Sequence, residues 1–117
     1  MSTALVEVRA IVRREMLDRI VRKLKQSGVP RLTVSHVHAI GAGADPDAAK
    51  FSLEEGSAYA DKALVQFICG SESSGELVQL ICRAACTGRC GDGIVYVLPV
   101  QSATKIRTGI EGAPALR

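Results

Sequence analysis

Twice along this chain the apolar residues change spacing, from every second residue to every third or fourth and back. That double alternation restricts the fold more than any other feature of the sequence. "ALVEVRAIV" (residues 4–12) alternates apolar and polar side chains, as a half-buried strand does. "REMLDRIVRKLKQSG" follows, with Met16, Leu17, Ile20, Val21 and Leu24 at helical spacing and Gly28 as the stop. "PRLTVSHVHAIG" (30–41) is a second strand carrying Leu32, Val34, Val37 and Ile40. From Gly41 to about Asp61 the period dissolves into Gly, Ala and Asp, which predicts a long functional or mobile loop, with a tolerated surface insertion as the competing reading. "KALVQFICG" (62–70) is a third strand. "SESSGELVQLICRAACTG" then opens on a Ser-type cap and spaces Leu77, Leu80, Ile81, Ala84 and Ala85 as a second helix. "GIVYVLPV" (93–100) is a fourth strand, "SATKIRTG" a short last one, and residues 110–117 a tail.

The order β-α-β-loop-β-α-β in 117 residues is that of one α+β domain, a ferredoxin-like βαββαβ layer with both helices on one face of an antiparallel sheet. Its other face is expected to be apolar and to meet another subunit. With 47% hydrophobic and only 3% aromatic residues, the core is one of small aliphatic side chains. The net charge of +3 is spread without any window dominated by Lys and Arg, which argues against a nucleic-acid partner and leaves room for a small anionic ligand. No apolar run reaches membrane-spanning length, and the N-terminus lacks a cationic start before an apolar core. A cytoplasmic protein with reduced thiols, not inserted in a membrane, is the expectation.

"TGRCGDG" (87–93) places Gly88, Gly91 and Gly93 within six residues. Glycine lets backbone N–H groups converge on phosphate oxygens, and Asp92 among them can orient the turn or accept from a ribose. An ordinary helix cap followed by a tight turn would use the same residues. Lys105 and Arg107, two apart on the expected last strand, point to one face and offer cationic donors to a polyphosphate; a solvated edge strand is the alternative. Cys82, Cys86 and Cys90 recur every four residues, but the paired spacing of a zinc site is absent. Cys82 is read as a small buried hydrophobe and Cys90 as the exposed thiol. His36 and His38 share a strand face, read as polar surface rather than a metal site. No nucleophile–base arrangement and no paired carboxylates near the glycine-rich turn suggest catalysis. Glu54 and Glu55 are adjacent in the long loop, where they suit partner contact.

Three blocks resemble the PII signalling family: "TGRCGDG" its B-loop, "KIRTG" (105–109) its C-terminal signature, and "LTVSHVHAIG" (32–41) the strand leading to its T-loop. Their spacing fits without gaps, so the resemblance spans most of the chain. It implies one PII-like domain over residues 1–117, with 41–61 as the T-loop, assembled as a homotrimer with an adenine nucleotide in each cleft between subunits. By that resemblance Thr33, Ala39, Ile40 and Gly41 line the adenine and ribose, and Ile68 adds an apolar wall. Thr87, Gly88, Arg89, Gly91, Asp92 and Gly93 form the phosphate turn, and Lys105 and Arg107 reach in from the next subunit. Lys62 contacts the outer phosphate or an anion. No catalytic residue, bound metal or permanent cofactor is implied.

Two departures bear on the ligand. After "GDG" the family usually has a lysine for the outer phosphates; here that place is Ile94. After the glycine ending the second strand it usually has Arg-Gln, the glutamine helping to hold magnesium and 2-oxoglutarate; here stand Ala42 and Gly43, which offer no side-chain oxygen. The expectation is a divergent sensor that prefers ADP or AMP over ATP. A small anion such as bicarbonate would sit near Gly41, Ala42, Gly43 and Lys62, and the 41–61 loop would bind or release a target protein. The alternatives are a nitrogen regulator binding Mg-ATP and 2-oxoglutarate, and a metal- or redox-responsive protein tied to metal efflux.

Overall fold

The computed structural model describes residues 4–41, 49–52 and 57–117. β1 (Leu5–Arg13) leads through one 3₁₀ turn (Arg14–Met16) into α1 (Leu17–Gln26). Then come β2 (Thr33–Ala39), β3 (Ala49–Ser52), β4 (Ser57–Gly70), α2 (Ser71–Ala85), β5 (Gly93–Val100) and a final 3₁₀ turn (Ala113–Leu116). The sheet runs β2-β4-β1-β5 with every pairing antiparallel, and β3 pairs with the start of β4. This is the expected α+β arrangement.

Period-two alternation decides what the sheet buries. Val8, Ala10 and Val12 stand opposite Phe67, Val65 and Ala63 in register, and all six are buried. Ile20 and Leu24 of α1 and Leu77, Ile81, Ala84 and Ala85 of α2 pack onto them. Each large aliphatic side chain buried there contributes about 1.5–3 kcal/mol of transfer free energy. α1 stops where Gly28 takes φ +90°: the Gly28 N–H reaches the Lys25 carbonyl and the Val29 N–H the Leu24 carbonyl, 3.1 Å each. Those two bonds, with Val29 and Leu24 both buried, make a Schellman ending. α2 has no side-chain cap; β4 feeds directly into it through Gly70, and the Ser71 N–H goes to the Ala4 carbonyl at 2.8 Å.

On the opposite sheet face Ile11 stands between Leu64 and Ile94, Arg9 between Gln66 and Tyr96, and Glu7 between Ile68 and Leu98. The face is therefore apolar with a polar seam, in which Arg9 pairs with Glu7, rather than apolar throughout. Most of it is half-buried, and Ile94 is 61% exposed.

Besides the missing Ser cap of α2 and the polar seam, the structure differs from the sequence reading in four places. β4 begins at Ser57, not Lys62, and β3 lies inside the stretch expected to be structureless; that stretch is poor in β-branched residues, so propensity hides the hairpin. "KIRTG" is a turn, not a strand: the Gly109 N–H reaches the Lys105 carbonyl at 2.7 Å, and only a bridge between Thr104 and Glu111 flanks it. Residues 113–116, expected as tail, form a 3₁₀ turn with Pro114 at its second position. Cys82 is exposed, not buried, because it sits one position off the Leu77–Ile81–Ala84 stripe.

Candidate functional site

β1 ends and β5 begins at the level of Lys62 in β4, and the segment between α2 and β5 folds over that edge. Residue 93 opens β5 opposite Val12. A Cβ there would overlap the Ile11 carbonyl oxygen outright, and the backbone takes φ +110°, so only glycine allows β5 to close on β1. Gly91 turns the chain at φ +94°.

Between these glycines, Asp92 ties the turn together. Its carboxylate accepts from the Thr87 hydroxyl, from the Thr87 N–H (2.7 Å) and the Gly88 N–H (3.0 Å), and from Arg13 Nε (2.9 Å). The Thr87 hydroxyl above all, then Arg13 and the two backbone N–H groups, hold the Asp92 carboxyl well below the usual carboxylate range. Beneath the turn lie two buried cations. Arg13, 3% exposed, also donates to the Cys90 carbonyl, and Lys62, 5% exposed, donates to the Gly91 carbonyl. They stand opposite each other at the last pair of the β1–β4 ladder, where β1 ends and β4 runs on. Long cationic side chains are buried there because turn carbonyls and a carboxylate receive their donors.

A folded-state value below the unfolded one means that Asp92 stabilises the fold above the ordinary carboxylate pKa of about 3.9 and loses that contribution as pH falls through its lowered value. Asp92→Asn is expected to be less stable at neutral pH, with a flatter acid limb. Urea unfolding followed between pH 7 and pH 3 measures it, and identical slopes in the two proteins would contradict the assignment.

The turn and the end of β2 enclose a cleft of about 510 Å³, lined by Ile11, Ala39, Ile40, Gly41, Lys62, Arg89, Asp92, Ile94 and the two flanking glycines 91 and 93. Eight of the residues assigned to the nucleotide or its anion from the sequence meet in this one hollow, with Ile94 beside them. Thr87 and Gly88 stand behind it, bonded to Asp92. Thr33 and Ile68 line a separate hollow of about 250 Å³ beside Leu116. Lys105 and Arg107 do not line the cleft of their own chain; Lys105 Nζ donates to the Arg117 carbonyl at 2.6 Å, and Arg107 is exposed. Ala42 and Gly43 lie outside the described residues. Arg13 and Ile11 were missed. The signal was present: strand alternation puts both on one face with Arg9, and the first arginine of "VRR" ends the strand beneath the turn.

The feet of the long loop are pinned near the same cleft. Asp61 takes Lys50 at 2.6 Å, His38 at 3.5 Å and Arg14 at 4.0 Å, and the His38 ring stacks on Tyr59 with centroids 3.9 Å apart. The Lys50 hydrogen bond lowers the Asp61 pKa.

Comparison with known proteins agrees with this architecture. The family described as "Nitrogen regulatory protein P-II" matches residues 5–110. The GlnK2 nitrogen regulatory protein of Haloferax mediterranei is 34% identical, covering 93% of this chain and 89% of its own. The P-II protein of Cyanidium caldarium is 31% identical, with 87% and 90% covered. Among solved structures, Arabidopsis thaliana PII bound to citrate superposes with a TM-score of 0.80 at 26% identity, covering 97% of this chain and 92% of the other. The GlnK–ATP complex of B. subtilis superposes equally well, TM-score 0.80, at 23% identity and 98% coverage of both. The chain belongs to the P-II family of nitrogen regulatory proteins.

Proposed function

We propose that this protein is a non-catalytic switch in which an adenine nucleotide, with ADP or AMP ahead of ATP, occupies the cleft under the Gly91–Gly93 turn. The observation that carries the reading is the meeting of Ala39–Gly41 with that turn around one hollow, with Lys62 and Arg89 in its wall. A cleft of about 510 Å³ falls within the range of small-ligand sites. One solved relative is an ATP complex, which supports a nucleotide, and another is bound to citrate, which supports no more than an anion. The protein acts as a homotrimer, in which the half-buried sheet face meets its copies and Lys105 and Arg107 serve the neighbour's nucleotide. Lys105 then exchanges its exposed bond to the Arg117 carbonyl for phosphate. A neighbour also brings Thr33 and Ile68 into use as the base-side wall.

The preference against ATP rests on Ile94. It lines the cleft, 61% exposed, where a cation would face the outer phosphates, so added terminal charge finds no further donor there. A small anion such as bicarbonate sits near Gly41, Ala42, Gly43 and Lys62. Nucleotide and anion together order the 41–61 loop, which then binds or releases its target. Isothermal titration with ATP, ADP and AMP, each alone and with bicarbonate or 2-oxoglutarate, tests this. Tightest binding is expected for ADP or AMP, strengthened by bicarbonate, without sustained turnover. Tightest binding to Mg-ATP with 2-oxoglutarate would refute the preference while leaving the cleft in place.

A further inference from the structure

Behind the turn, on the helix side, lies a second hollow of about 240 Å³, which shares Asp92, Gly93 and Ile94 with the nucleotide cleft but opens toward α2. Away from the turn its wall is apolar, with Val12, Ile81, Ala85 and Val95, and two free thiols, Cys82 and Cys86, open into it. They sit four residues apart, one helical turn, and the Cys86 N–H bonds the Cys82 carbonyl at 3.1 Å. That bond stacks the two positions on one face at the C-terminal end of α2, their Cα atoms about 6 Å apart by helix geometry. Both thiols are exposed, so an incoming ion can reach them.

We propose that Cys82 and Cys86 form a two-coordinate site for a soft monovalent d¹⁰ cation of the Cu(I) class. Thiolates select soft cations, and this pair offers two donors with no hard oxygen ligand required. A tetrahedral zinc site is not built here, because no group of three or more His, Cys, Asp or Glu side chains converges among the described residues. Low coordination suits a pocket whose helix side is hydrocarbon and whose one carboxylate, Asp92, already accepts from Thr87, Gly88 and Arg13. The binding step needs no oxidant: each thiol gives its proton to solvent, two S–Cu bonds form, copper stays Cu(I), and the product is a bis-thiolate cuprate of charge −1. Binding therefore weakens as pH falls.

The test is anaerobic titration of the whole protein with Cu(I) against a competing chelator. One Cu(I) per chain is expected. Cys82→Ser and Cys86→Ser should each weaken it by more than the ~10–100-fold typical of losing an outer-shell partner, while Cys69→Ser leaves it unchanged. Because substitution can disturb α2, the wild-type protein is also alkylated with and without Cu(I) and mapped by mass spectrometry. Selective protection of Cys82 and Cys86 supports the site. No binding, Cu(I) retained by the double Cys82→Ser/Cys86→Ser variant, or protection of other thiols overturns it.

Discussion

Gly93→Ala is expected to yield a chain that no longer closes β5 onto β1. The added methyl would overlap the Ile11 carbonyl oxygen and lie 3.3 Å from Val12 Cα, and neither is a flexible side chain that can swing away. Relief requires sliding β5, and a one-residue slip would turn Val95 and its neighbours to the wrong face. The cost is expected to exceed ~4 kcal/mol, in the exceptional range for one substitution, against a total stability of about 5–15 kcal/mol. Gly88→Ala is the internal comparison. It also has a positive φ, +83°, but nothing within 4 Å of its Cβ, so it meets only the backbone penalty of about 1–2 kcal/mol. Urea unfolding of both variants separates the causes. A Gly93→Ala protein no less stable than Gly88→Ala would mean that β5 does not approach β1 as described.

Ile94→Lys is expected to raise ATP affinity by about tenfold or more, the worth of a hydrogen bond to a charged group, with ADP gaining less and AMP little. Position 94 lines the cleft and is already exposed, so an ammonium placed there remains solvated and disturbs no packing. The gain should shrink as salt is added. Titration of the three adenylates into wild-type and variant protein measures it. Equal ATP affinity in both would remove Ile94 from the account of nucleotide preference.

Where one force acts along a short window, the sequence was legible. Val8, Ala10 and Val12 alternate, and Ile20 and Leu24 recur one turn apart, so strand, helix and buried face all followed from spacing. Gly28 ended α1 where expected, because its positive φ is a local need. The convergence of Ala39–Gly41 with residues 89–93 came through the family resemblance; periodicity alone does not bring position 40 to position 92. What stayed hidden depended on distant partners. Arg13 reads as one of several arginines until Asp92 and the Cys90 carbonyl, 79 and 77 residues away, receive it. Gly93 reads as ligand-facing until the Ile11 carbonyl is found against it. Lys105 and Arg107 looked like a strand pair because "KIR" alternates, yet the positive-φ Gly109 bends them into a turn.

Native mass spectrometry with increasing ADP tests the central claim most directly, that the turn and the end of β2 enclose a phosphate site completed by a neighbouring copy. The account predicts a trimer that fills in up to three steps, and a Lys62→Met protein that keeps the trimer mass but loses the ADP steps. A monomer that takes up no adenylate at any concentration, or a Lys62→Met trimer that fills as the wild type does, would contradict it.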